Sequence, residues 1–144
     1  MSRGLSLHIG LNAVDPARYD GWDGQLAGCE NDVASMQQIA SSLGYETHQL
    51  LTRQATRAAV LDAITKAAAT LKKDDIFLLT YSGHGGQIND FSSYEPDGLN
   101  ETWVLFERQL LDDELYVAWS MFRPECASSC FIVATAGRSP KTCS

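Results

Sequence analysis

The chain has 144 residues, with 18 acidic against 11 basic side chains, a net charge of −7 and a pI near 4.8. That length suits one domain with a real core and is short for a two-domain enzyme. No basic stripe is present to neutralise phosphates, which excludes nucleic acid as the main partner, and no apolar run is long enough to span a bilayer.

Cys29, Cys126, Cys130 and Cys143 form no CxxC pair, and with only three histidines they argue against a structural zinc site. The first twelve residues have neither the apolar region nor the cleavage site of a signal peptide, so a cytoplasmic location is expected.

Leu5 to Leu11 alternates and predicts a first strand, with His8 packed within it rather than catalytic. Asn12 to Gly28 contains Pro16, Gly21, Gly24 and Gly28 and reads as a loop, long enough to lean towards function. A helical pattern then runs through Val33, Met36, Ile39, Ala40 and Leu43 and stops at Gly44. Glu30 and Asp32 suit its amino end, where carboxylates meet unpaired N–H groups, and capping by itself accounts for Asp32.

Tyr45 to Leu51 predicts the second strand. Thr56 is placed to cap a helix through Val60, Ile64, Ala67, Ala68 and Leu71, with Lys72 and Lys73 favourable at its carboxyl end.

Asp75 to Gln87 is the stretch around which the rest is organised. Its first half, Ile76-Phe77-Leu78-Leu79-Thr80-Tyr81, is a short apolar run typical of a strand buried on both faces. Gly83, Gly85 and Gly86 then surround His84, removing the Cβ atoms that keep another chain at a distance. A histidine at the carboxyl end of a buried parallel strand sits where open α/β sheets bind ligands, and its ordinary pKa allows proton transfer near neutrality. A glycine-rich turn carrying a surface histidine is the plainer reading. Neither phosphate-cradling glycine motif is present.

Asn89 to Glu101 reads as an acidic loop, Thr102 to Phe106 as a short strand, and Leu110 to about Met121 as a helix with acids in its first turn. The oxygen-rich residues of Asp97 to Glu101, with Asp112 and Asp113, have the chemistry to hold a hard cation such as calcium; capping and solvation account for the same residues. Cys130 to Ala136 predicts a fourth strand. The alternation of strands and helices predicts an α/β fold, a parallel sheet with helices on both faces.

Leu26 to Asp32 with the helix after it, Thr80 to Gln87, Asp97 to Thr102 and Leu111 to Leu115 together resemble the caspase-like cysteine peptidases, specifically the metacaspase branch. The resemblance covers roughly residues 5 to 123, and Gly28-Cys29 with Asn31-Asp32 upstream of Tyr81-Ser82-Gly83-His84-Gly85-Gly86 is specific as a pair. It implies a three-layer sandwich and a Cys-His dyad in which His84 is the catalytic histidine and the Gly85 N–H helps hold the substrate oxyanion. It also implies that Cys29, Asp32 and Ser82 line the pocket for the residue before the scissile bond. In the metacaspase branch that residue is arginine or lysine, so the expected partner is a peptide or protein substrate with a basic residue. Asp112 and Asp113 match calcium ligands of calcium-dependent members, with Asn100 standing where those members have an aspartate. No cofactor is required by the resemblance.

The family's cysteine lies within Asp-Ser-Cys-His-Ser-Gly or a close relative, about fifty residues after the histidine. Here that count reaches Ala134 to Gly137, where there is no cysteine. Residues 1–144 are thus expected to form a single, incomplete caspase-like domain, its sheet truncated after about the fourth core strand, with 124–144 as a divergent tail. A one-base frame shift after Pro124 would account for that tail, since a shifted reading of its codons permits an apolar run followed by Ser-Asp-Ser. Three functional expectations result: a peptidase-family chain inactive for want of its nucleophile, a non-catalytic module that binds basic peptides, or a truncated remnant.

Overall fold

Strand β1, Gly4–Gly10, runs up the middle of the sheet because every second side chain is apolar and the alternate ones are small or polar. The computed structural model describes residues 2–89, 99–123 and 127–130, with the backbone alone at 89, 99 and 127–130. After β1 come α1 (Cys29–Ser42), β2 (Glu46–Leu51), a single 3₁₀ turn (Thr52–Gln54), α2 (Arg57–Thr70) and β3 (Ile76–Ser82). Then follow β4 (Gly85–Asn89), β5 (Leu99–Val104), β6 (Gln109–Leu111), α3 (Asp112–Trp119) and β7 (Ala127–Cys130).

The main sheet has the order β2-β1-β3-β7, and every neighbouring pair is parallel. The chain moves from β1 to β2 on one side and then back across to β3 on the other. Because such crossovers are right-handed, α1 and α2 fall on opposite faces, as the sequence predicts. Leu5, Leu7, Ile9, Phe77, Leu79 and Tyr81 join Val60, Ile64, Leu71 and Phe122 in the larger core cluster. Phe77 packs against Trp119 and stacks on Phe122 at 5.0 Å, which joins α3 to the same layer.

The other face is more polar. A Cβ added at Gly10 would come within 2.6 Å of the Cys29 carbonyl oxygen and 2.5 Å of Val33, so only glycine lets α1 lie this close to β1. His8 shares that face. It is fully buried, with Nδ1 2.7 Å from Thr80 Oγ1 and Nε2 2.9 Å from Ser6 Oγ. The packed role expected for His8 is the one it has.

Burial lowers the His8 pKa from its ordinary 6.5, so the folded chain resists a proton that the unfolded chain accepts. The stability that His8 contributes is therefore complete above pH 6.5 and is lost as pH falls below it. Asp75 and Glu114, whose carboxyls are held below their ordinary 3.8 and 4.5, lose their contributions only in stronger acid. Urea unfolding between pH 7.5 and about 5.5 is expected to show stability falling by up to about 1.4 kcal/mol per pH unit, the limit for one proton. His8→Gln should flatten that slope, and an unchanged slope would rule out His8 as its source.

Several element boundaries differ from the sequence reading. β5 begins at Leu99 rather than Thr102, and β6 and α3 together occupy what reads as one helix from Leu110. A second, antiparallel sheet of order β4-β5-β6 explains both, because β5 is sandwiched between partners on either side. Strands as short as three residues carry too little alternation to register as a pattern. The last described strand starts at Ala127, three residues before the predicted Cys130, and pairs Leu79 with Cys130. Residues 131–136 of the predicted strand and the rest of the tail lie outside the described residues, as do Asp97, Cys126 and Cys143.

Candidate active site

The parallel strands β1 and β3 end side by side, with Gly10 paired to Ser82 and Leu11 N donating to Ser82 O at 3.0 Å. The candidate residues collect at this carboxyl edge, the position where open α/β sheets bind ligands. Ser82 Oγ donates to Asp32 Oδ2 at 2.7 Å, joining the first turn of α1 to the end of β3. Cys29 lies one helical turn before Asp32 and is buried, so the three residues assigned to the substrate pocket are neighbours.

The first turn of α1 is held from a distance. Its N-cap, Gly28, offers no side chain, and Asn12 Oδ1 accepts from Cys29 N at 3.0 Å and Glu30 N at 3.2 Å instead. Asn12 N donates to Thr52 Oγ1, which in turn donates to Glu30 Oε1 at 2.7 Å. Thr52 sits at φ 40°, a conformation that a β-branched residue rarely adopts and that stores on the order of 1–3 kcal/mol of strain. Three chain segments are thereby locked around the helix end that carries Cys29 and Asp32.

His84 is buried, at 8% exposure, which corrects the surface-histidine reading. Its Nε2 lies 3.0 Å from Gly24 O. A carbonyl oxygen only accepts, so Nε2 carries the proton, and in the neutral ring Nδ1 carries the lone pair. Gly24 stands at φ +58°, in the left-handed region that glycine enters without strain, and this aims its carbonyl. The turn at His84 is fixed from below by Tyr81, whose hydroxyl shares its one proton between His84 O at 2.7 Å and Val104 O at 3.1 Å. Burial pushes the Tyr81 phenol far above its ordinary pKa, with Cys29 and Tyr19 adding to the effect, so it is a permanent donor.

Gly85 opens β4 opposite Trp103. Val104 N donates to His84 O at 3.0 Å, which makes the 85–103 pair the kind whose own N–H groups point out of the ladder. The nearest described atom to a Cβ added at Gly85 would be Thr102 O, at 3.9 Å.

The residues matched to calcium do not assemble a shell. Asp112 and Asp113 are exposed on the first turn of α3, with Asp112 Oδ1 accepting from Asp113 N, whereas Asn100 is buried on β5. Among the described residues no group of three or more histidine, cysteine, aspartate or glutamate side chains is placed to hold a metal. Among the described residues, two exposed carboxylates on α3 and one buried amide on β5 do not make the clustered oxygen set that calcium takes.

The family model described as Caspase domain matches residues 6–129 of this sequence. The chain belongs to the caspase domain family. Its similarity is to the metacaspase branch: it is 33% identical over 125 residues to Metacaspase-1 of Schizosaccharomyces pombe and 35% over 125 residues to Metacaspase-1A of Aspergillus clavatus. Each alignment takes in 77% of this chain and 28% of the relative, so this caspase domain spans under a third of the length of those relatives. A crystal structure of a Geobacter sulfurreducens protein matches it at a TM-score of 0.87 and 48% identity, over 95% of this chain and 52% of that one. No helix among the described residues of the caspase domain is long and apolar enough to cross a membrane.

Gly24, Asn12 and Thr52 also shape the candidate site, and nothing in their residue types singles them out for it. The loop from Asn12 to Gly28 was marked by its length, but nothing local pointed to a backbone carbonyl as the histidine's partner.

Proposed function

We propose that this chain carries the histidine and substrate-pocket portion of a caspase-like cysteine endopeptidase site and that, as its sequence stands, it binds a basic peptide without cutting it. The observation that carries this reading is the pair of fixed groups at one strand end: the His84 ring on Gly24 O, and the Asp32 carboxylate on Ser82 Oγ. In acyl transfer, Nδ1 of such a ring takes the proton of an attacking thiol and delivers it to the leaving nitrogen, while N–H donors such as that of Gly85 hold the oxyanion. The Asp32 carboxylate suits an arginine or lysine side chain by charge pairing.

What the sequence does not supply at the family's position, Ala134 to Gly137, is the thiol. Cys29 belongs to the pocket, and Cys130 is level with Leu79, three residues short of Ser82 and therefore about 10 Å below the strand end. Calcium dependence stays a proposal of the resemblance alone.

The test measures two quantities on the purified chain, with and without calcium. Hydrolysis of arginine- and lysine-ended fluorogenic peptides is expected to stay at background. A labelled arginine-ended peptide is expected to bind, and its glutamine-ended counterpart to bind weakly or not at all. Hydrolysis that His84→Ala abolishes would overturn the inactive reading, and equal affinity for both peptides would overturn the basic pocket.

A further inference from the structure

We infer that Trp22 is a positioning residue for His84, a lid of indole over the hydrogen bond between its ring and the Gly24 carbonyl. The inference rests on the reading of His84 as the proton-handling group of the site. Trp22 and His84 have ring centroids 4.9 Å apart, tilted at 58°. The same indole backs Gly24, since a Cβ added there would lie 3.3 Å from its Cη2 atom. One side chain thus lies beside both the His84 ring and the Gly24 backbone that it bonds to.

The loop is shaped to hold Trp22 in place. Asp20 and Gly21 both adopt positive φ, 52° and 87°, which turns the chain sharply just before it. Trp22 N donates to Tyr19 O at 3.0 Å, and Tyr19 meets the indole edge-on at 5.9 Å and 81°. Tyr19 is anchored in turn by its hydroxyl, which donates to Leu105 O at 2.7 Å. Trp22 is half-buried and packs against the core cluster while its indole also reaches the His84 ring.

The physical argument concerns water. A carbonyl and an imidazole N–H that water reaches exchange partners readily, and the ring then turns and switches tautomer. Covered by an indole, the bond keeps the proton on Nε2 and the lone pair on Nδ1. Any flat aromatic side chain at position 22 supplies most of that cover, and a methyl group supplies none.

The experiment follows the His84 Nε2–H of the full ¹⁵N-labelled chain by NMR, assigned by its disappearance in His84→Ala. In Trp22→Ala, exchange of that proton with water should quicken by at least about tenfold, and the ring nitrogen shifts should move towards a mixture of tautomers. Trp22→Phe should stay within about twofold of the parent. Trp22→Leu, which keeps an apolar side chain, guards against a variant that fails to fold. Unchanged exchange in Trp22→Ala, or equal acceleration in Trp22→Ala and Trp22→Phe, overturns the inference. These outcomes do not depend on peptide binding or hydrolysis, so a failed positioning role and a failed peptidase reading are distinguishable.

Discussion

Asp32→Asn is expected to weaken binding of an arginine-ended peptide by about 10- to 150-fold, the range set by losing one charge-assisted hydrogen bond of roughly 1.5–3 kcal/mol. The substitution keeps shape and keeps an acceptor for Ser82 Oγ, which now donates to Asp32 Oδ2 at 2.7 Å. The fold should therefore tolerate it. Asp32 stands in the first turn of α1, where a negative charge is worth about 0.3–1 kcal/mol, and only that much stability should be lost. Fluorescence anisotropy of the labelled peptide at low and high salt reads the effect, which should shrink with added salt. Affinity unchanged by Asp32→Asn would remove the basic-residue pocket from the proposal.

Tyr81→Ala should be the most damaging single change at the site, costing about 3–5 kcal/mol of folding stability. Tyr81 is almost fully buried, its ring lies flat on Trp103 at 4.5 Å and 6°, and its hydroxyl bridges the carbonyls of His84 and Val104. It thus joins the end of the parallel sheet to the start of the antiparallel one. Tyr81→Phe keeps the stacking and loses only the hydroxyl, for about 1 kcal/mol. Gly83 belongs to the same arrangement: a Cβ there would lie 2.6 Å from the Tyr81 hydroxyl oxygen. Urea midpoints of the two Tyr81 variants separate ring from hydroxyl. A Tyr81→Ala loss below about 1 kcal/mol would show that the junction contributes little.

Much of this protein was determined by its sequence alone. The apolar run before Gly83 fixes β3 as a buried strand, and the strand–helix alternation makes the sheet parallel with helices on both faces. Thr56 caps α2 as its residue type foretells, accepting from Ala59 N. The glycines around His84, with Cys29 and Asp32 upstream, point to the family. These signals are local: each depends on residue type and spacing within one element.

Tertiary structure decided the rest. One partner of the His84 ring is the carbonyl of a residue 60 positions earlier, and a backbone carbonyl has no residue type by which a sequence could announce it. Asp32 meets Ser82 across 50 positions, a contact that no local pattern announces and that exists because β3 lies beside α1. Asn12 caps a helix 17 residues away because the chain from β1 folds back past the strand end. β6 is too short to be periodic, and β5 reads only in part, from Thr102; both are fixed by antiparallel pairing around β5. The site is thus written in the sequence as a set of residues, and only the packing of strand ends against α1 makes them neighbours.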